Sequence, residues 1–465
     1  MRNRRQFLSE TFSSATGFGV AAALSALGGR FALGEIQKKQ IDLIPVKDQT
    51  TGIPLIRLPE GFSYSTFGWT KDPMADGLPT PSDHDGMGVV TEDEGVVSLV
   101  RNHEISRDGA AWNSPNRNPY DARAQGGCTT LTFDTRSGKW LESHVSIAGT
   151  SRNCAGGVTP WGTWLTAEET VLGVDSIDHY KGNKKRKFEQ DHGWVFEVDP
   201  KGVEKPVALK EMGRFVHEAI AIDRKTGIVY ETEDRRTSGF YRFIPKEKGK
   251  LANGGTLEIA EVIGQPDLRG RVKKDSVFDV KWHKIPDPTL AHTPGLAKPD
   301  ELGVFKQGKK LGGTTFSRLE GCWSGDGAIY FDATSGGGAK AGQIWKYDPT
   351  SQKLKLLFES PGKEILNMPD NLCVNPNGGL VICEDGDYGN NKFPQRIHLL
   401  SQDGVLCPFA LNDVQLKGQK GFSGDFRGKE WCGSTFSPDG KWLFANIQTP
   451  GITFAITGPW DALNS

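Results

Sequence analysis

Residues 156–169 read Gly156-Gly157-Val158-Thr159-Pro160-Trp161-Gly162-Thr163-Trp164-Leu165-Thr166-Ala167-Glu168-Glu169. This is a short apolar strand, a turn bearing proline and glycine, a second apolar strand, and two acids at its end. The same grammar recurs at 86–104 (GMGVVTEDEGVVSLVRNHE), 218–234 (EAIAIDRKTGIVYETED), 320–334 (EGCWSGDGAIYFDAT), 370–385 (DNLCVNPNGGLVICED) and 433–448 (GSTFSPDGKWLFANIQ). Several units are followed by an outer hairpin, as in Trp194-Val195-Phe196-Glu197-Val198-Asp199-Pro200 and Ile344-Trp345-Lys346-Tyr347-Asp348-Pro349. The units close at 104, 169, 231, 332, 384 and 446. The usual interval is about 50 to 65 residues, the scale of one four-stranded propeller blade with its loops.

Six units predict an all-β fold, a six-bladed β-propeller. Two packed β-sandwiches are the alternative, but they leave the recurrence of acids at one place in the unit unexplained. The long interval before 332 holds a polar stretch rich in Pro, Lys and Gly, about 245–313, expected as an insertion capping one face, with room for short strands of its own. Composition agrees: 58 glycines and 12 tryptophans accompany few amphipathic helical stretches, as expected of many short strands joined by tight turns.

In a propeller the innermost strands run along a central channel, so matching strand ends converge on one mouth. The residues brought there would be Asn102, His103 and Glu104; Glu168 and Glu169; His217 and Glu218; Glu231, Glu233 and Asp234; Glu320; Asp370 and Asn371; and Glu384 and Asp385. So many carboxylates cannot stay ionised in one mouth without cations between them. Calcium, which takes six to eight oxygens, suits the supply. Side chains alternate along a strand, so one member of Glu168/Glu169 and one of Glu384/Asp385 should face away.

Cys154, in Asn153-Cys154-Ala155-Gly156-Gly157, sits in a glycine-rich loop where backbone could approach a ligand closely. A thiolate there biases the site toward iron, zinc or copper beside the hard-ligand ions. The other cysteines (128, 322, 373, 383, 407, 432) lie mostly in apolar strands without CxxC spacing and read as core residues. Arg318 stands two residues before Glu320. It could clamp a phosphate or carboxylate substrate, or tether the ligand acids through salt bridges.

At the N-terminus, Asn3-Arg4-Arg5-Gln6-Phe7-Leu8 precedes a weak apolar run over about 17–27 and small residues at Ala32-Leu33-Gly34. That pattern predicts a twin-arginine signal peptide over 1–34, a mature single domain over 35–465, and a periplasmic or secreted protein. The export machinery would be its first partner. The apolar run is too short to span a bilayer. With 56 basic and 57 acidic residues, a net charge of −1 offers nothing to attract nucleic acid.

Long motifs then resemble one family. Asn153-Cys154-Ala155-Gly156-Gly157-Val158-Thr159-Pro160-Trp161-Gly162-Thr163-Trp164 is similar to the hallmark of PhoX-type alkaline phosphatases. So are Gly213-Arg214-Phe215-Val216-His217-Glu218-Ala219, Arg318-Leu319-Glu320-Gly321, Asp370-Asn371-Leu372, Glu384-Asp385 and Asn446-Ile447-Gln448-Thr449-Pro450-Gly451. The resemblance runs from about Gly61 to Trp460. It implies an exported, monomeric six-bladed propeller with ferric iron (Fe3+) and calcium (Ca2+) around a bridging oxide. Iron would be bound by Cys154, with Glu320 as a further ligand and Arg318 contacting phosphate. Glu169, Glu218, Glu231, Asp234, Asp370, Asn371, Glu384 and Asp385 would complete the metal set. The family's cysteine before the paired glutamates is replaced here by Ala167.

The implied activity is hydrolysis of small-molecule phosphate esters, phosphomonoesters, by a metal-bound oxygen nucleophile. No Ser/His/Asp arrangement competes with it. Two other readings stay open on the sequence: a calcium-dependent, lactonase-like hydrolase, and a binding module whose calcium serves stability.

Overall fold

A computed structural model describes residues 41–112, 118–174, 176–178, 184–376, 378–386 and 394–463. The expected leader, 1–34, lies outside the described residues. Among these residues no helix is long and apolar enough to cross a membrane.

The fold is all-β and propeller-like. Inner strands are flanked by partners on every side and lose the alternation of a half-exposed strand: His217–Ile222 and Trp431–Phe436 are buried at every residue. Outer strands keep it, as in Lys353–Glu359, where buried and more exposed residues alternate. His84–Asp93, Val96–His103, Gly126–Asp134 and Lys139–Thr150 form one four-stranded meander in chain order. Asn153–Val158, Trp164–Glu168 and Val195–Val198 form a three-stranded sheet.

The two ends of the domain are sewn into its last sheets. Ser63–Phe67 pairs with Ile452–Thr457 and completes the sheet of Trp431–Phe436 and Trp442–Ile447. Pro54–Leu58 pairs with Leu406–Asn412 and so extends the sheet that begins at Pro369–Val374. Phe62, Phe409, Trp431 and Trp460 pack where these two sheets meet. Burying an aromatic of this size withdraws roughly 150 to 250 Å² from water.

The third and fourth repeat units do not form separate sheets. Val277–Lys284 pairs on one side with Gly255–Val262 and on the other with Lys353–Glu359, fusing both units into one nine-stranded sheet. The stretch 245–313 therefore carries strands, as the sequence allowed, and they are long enough to join the sheet. Its first strand, Gly255–Val262, continues the sheet begun by His217–Ile222, and its helix Gly303–Lys310 buries Val304 and Phe305 against Ile259 and Leu257. The polar composition hid the length of these strands because their outward faces carry Lys and Glu.

Six inner strands neighbour one another in a closed cycle: His84–Asp93, Asn153–Val158, His217–Ile222, Leu319–Gly325, Pro369–Val374 and Trp431–Phe436. Gly157 serves this closure, and Gly156 the close pairing within its own sheet. A Cβ on Gly157 would fall on the carbonyl oxygen of Ile220 in the next inner strand, and one on Gly156 on that of Leu165.

Candidate metal centre

Every inner strand is interrupted at the same place. Pairing with the second strand slips between His84 and Met87, Asn153 and Gly156, His217 and Ile220, Leu319 and Cys322, Pro369 and Leu372, and Cys432 and Thr435. A β-bulge leaves one residue unpaired and re-aims its side chain. The residues released are Asp85, Cys154, Glu218, Glu320, and the pair Asp370 and Asn371; at the sixth bulge stands Gly433, where Glu430 from the preceding turn supplies a carboxyl group instead. Second strands hold the bulges from behind. Asn102 Nδ2 donates to the carbonyls of Cys154 (3.2 Å) and Ala155 (2.6 Å), and Asn446 Nδ2 to that of Asp85 (2.7 Å). Thr232 Oγ1 donates to the carbonyl of Glu320 (2.6 Å), and Thr334 Oγ1 to that of Pro369 (2.6 Å).

The result is a continuous set of converging donors. One ligand atom each from Asp85, Glu104 and Cys154 lie within 4.8 Å of one another, as do those of Cys154, Glu169 and Glu218, and those of Asp85, Glu430 and Cys432. Cys154 Sγ donates to Asp85 Oδ2 at 3.3 Å. Asn371 links two neighbouring bulges: its Nδ2 donates to Asp370 Oδ1 (2.7 Å), and its Oδ1 accepts from the Gly433 amide (2.7 Å). Two arginines brace the set. Arg152 reaches Glu104 Oε1 at 2.8 Å and Glu169 Oε2 at 2.9 Å. Arg318 reaches Asp234 Oδ1 at 3.0 Å and Asp385 Oδ2 at 3.2 Å, and also contacts Glu320.

Two guanidinium groups cannot neutralise Asp85, Glu104, Glu169, Glu218, Asp234, Glu320, Asp370, Asp385 and Glu430. The electrostatics of the cluster follow from that surplus. Burial first, and then neighbouring acids, push Asp85, Glu218 and Glu430 well above the usual carboxylate range, and Asp370 up to about 7. Burial also pushes up Glu169 and Glu320 even though Arg152 and Arg318 pull the other way. The Cys154 thiol is raised by burial, then by Asp85 and Glu218. Arg318 loses charge stability through burial but regains more from Glu320, Asp234 and Asp385, so it stays a cation.

Bound cations reverse this logic, because a multivalent ion favours the deprotonated form of every donor around it. The residues present fit such ions. Asp85 Oδ1 and Glu218 Oε1 are buried without a hydrogen-bond partner, an arrangement that is costly unless something else satisfies them. The sulfur of Cys154, with that of Cys432 beside Asp85 and Glu430, among many carboxylate oxygens is a mixed donor set, soft at those points and hard elsewhere.

Of the expected ligands, Cys154, Glu169, Glu218, Asp234, Glu320, Asp370, Asn371 and Asp385 are brought to this set. Glu231 and Glu384 are not. Both lie on second strands and serve other partners. Glu231 Oε2 stands 3.4 Å from His217 Nδ1. Glu384 receives Arg396 Nη2 (2.8 Å), His398 Nε2 (3.0 Å) and the Asn367 amide (2.8 Å). As alternation requires, Glu169 and Asp385 face the cluster while Glu168 and Glu384 face away, Glu168 bonding His192 Nδ1 at 2.6 Å. Glu233 accepts from Tyr241 and the Gly239 amide, and His103 is held between Ser82 and Thr129.

Glu384→Gln is expected to lower unfolding free energy by about 3 to 5 kcal/mol, the usual result of breaking a buried ion pair and stranding its partner. Bound metal should be unchanged. Urea unfolding and elemental analysis of the same sample check both halves.

Asp85, Glu430 and Arg152 escaped the sequence reading. Asp85 had a signal: it immediately precedes the first unit at Gly86, as Glu218, Glu320 and Asp370 open theirs, and aligning unit openings instead of closings exposes it. Glu430 had none, because it compensates for a glycine at an equivalent bulge.

The family model for alkaline phosphatase PhoX matches the chain over residues 42–144 and 141–451. No curated protein sequence matches it. Among solved structures, the Pseudomonas fluorescens PhoX in complex with vanadate, a transition state analogue, shares 19% identity and a TM-score of 0.62, over 91% of this chain and 98% of that one. A Xanthomonas campestris gluconolactonase shares 12% identity and a TM-score of 0.41, over 90% of this chain and 96% of that one.

Proposed function

The chain belongs to the alkaline phosphatase PhoX family, and from that premise we propose that its ring of bulge residues is a mixed iron and calcium centre where phosphomonoesters are hydrolysed. The enzyme is a phosphoric monoester hydrolase by family. The observation that carries the metal assignment is the unsatisfied surplus of buried carboxyl groups converging with Cys154. Cys154 would hold iron. Asp85, Glu104, Glu169, Glu218, Asp234, Glu320, Asp370, Asn371, Asp385 and Glu430 would share the remaining positions. When bound, the ions supply Lewis acidity toward the phosphoryl oxygens and toward the attacking water.

The chain's own residues do the rest. Arg318, fixed by Asp234, Glu320 and Asp385, presents a pre-oriented guanidinium to the phosphoryl group, so little is reorganised as charge builds. The bulges and their Asn and Thr braces fix donor positions, which keeps the reacting geometry narrow.

The finer architecture belongs to the same proposal: six blades, of which the third and fourth share one sheet; a monomer; and a twin-arginine leader over 1–34 that exports the folded, metal-loaded protein. Elemental analysis of the exported protein beside hydrolysis of p-nitrophenyl phosphate is the test. Iron and calcium together with turnover are expected. Calcium without iron, or metal without turnover, would sink the assignment.

A further inference from the structure

Arg152 and Arg318 hold the same place in two repeat units. Each stands two residues before a bulge residue, Cys154 and Glu320 respectively, and each has left-handed backbone, with φ of 54° and 51°. Asp83 (φ 53°) and Met368 (φ 55°) occupy that place before Asp85 and Asp370, so the turn is a feature of the repeat. Non-glycine residues seldom adopt this conformation, and they keep it where surrounding structure insists.

The two guanidinium groups are also anchored alike. Arg152 binds through Nε to Glu104 (2.8 Å) and through Nη2 to Glu169 (2.9 Å). Arg318 binds through Nε to Asp234 (3.0 Å) and through Nη2 to Asp385 (3.2 Å). In neither does Nη1 have a hydrogen-bond partner among the described residues. Both side chains stay partly open to solvent, Arg152 at 41% and Arg318 at 26%. A guanidinium held along one edge, with the other unbonded among the described residues, is arranged to grip an oxyanion. A mere tether for Glu104 is less needed, since Gln448 Nε2 already donates to its second oxygen at 2.7 Å.

We propose that Arg152 is a second phosphoryl-binding arginine, gripping with Arg318 the same phosphoryl group from a position two units away around the ring. The proposal rests on the phosphatase reading above. A phosphoryl group spreads its charge over three peripheral oxygens and can accept from two guanidinium groups while also facing the ions.

The test compares wild type with Arg152→Lys, which keeps charge but loses the fork, and Arg152→Gln, which loses both. Binding of inorganic phosphate is measured by calorimetry, KM and kcat with p-nitrophenyl phosphate, and metal by elemental analysis. Phosphate Kd and KM are expected to rise together by about tenfold or more, more for Gln than for Lys, at unchanged metal content and with kcat within about threefold. Phosphate affinity within twofold of wild type overturns the proposal. So does a falling metal content with wild-type affinity per loaded molecule, which would make Arg152 a tether only. A wild type that binds phosphate through Arg152 without hydrolysing the ester would fail the phosphatase reading alone and leave the contact standing.

Discussion

Cys154→Ser is expected to lose bound iron and, with it, phosphomonoesterase activity by about 10³-fold or more, comparable to removing a principal charge-stabilising group from an active site. Without a metal the chain keeps this half-buried sulfur as a protonated thiol: desolvation first, then Asp85, Glu218 and Glu169, push its proton affinity up. A transition metal reverses that preference by binding the thiolate, and a serine hydroxyl cannot replace it. Cys407→Ser serves as control. Cys407 lies in the outer strand Leu406–Asn412, and its replacement should leave metal and activity alone. Full activity or full iron in Cys154→Ser would remove the soft-ligand assignment.

Stripping the metals is expected to destabilise the protein strongly at pH 8 and much less at pH 5. Without cations, Asp85, Glu218, Glu320 and Glu430 favour protonation in the fold, and Asp370 titrates near 7 rather than near 3.8. The sign follows directly. These acids have folded values above their unfolded ones, so the stripped fold is at no disadvantage below about pH 4. It then loses stability as pH rises through the folded values. Each unit of raised pKa shared among these coupled acids costs about 1.4 kcal/mol once the pH has passed it. A fall in Tm on the order of 10 °C at pH 8 is expected on chelation, restored by calcium and iron together. A stripped protein equally stable at pH 5 and pH 8 would mean that the acids are satisfied without cations.

Much of the fold was legible because its strand pairs repeat. The apolar strand pairs and their turns in 156–169, 218–234 and 433–448 form inner and second strands as read. The sheet pairing of the polar stretch 245–313 was not legible, because outer strands such as Val277–Lys284 bury only one face and charged residues mask their length. Glu231 and Glu384 were misplaced for a related reason. An acid near the end of a second strand looks the same in sequence whether it faces the channel or a basic partner such as His217 or Arg396.

The sequence by itself determined the repeat, the sulfur at Cys154, the acids that open the units at Glu218, Glu320 and Asp370, and the arginine at 318. These are properties of residue order and spacing. Only the tertiary structure decided which acids meet. Each bulge turns one side chain out of register, and that turn depends on braces from elsewhere in the chain, such as Asn446 on Asp85. It also made Glu430 a substitute for the side chain that Gly433 lacks, and Arg152 a counterpart of Arg318. Those relations span up to the whole length of the domain, and no local pattern in the chain records them.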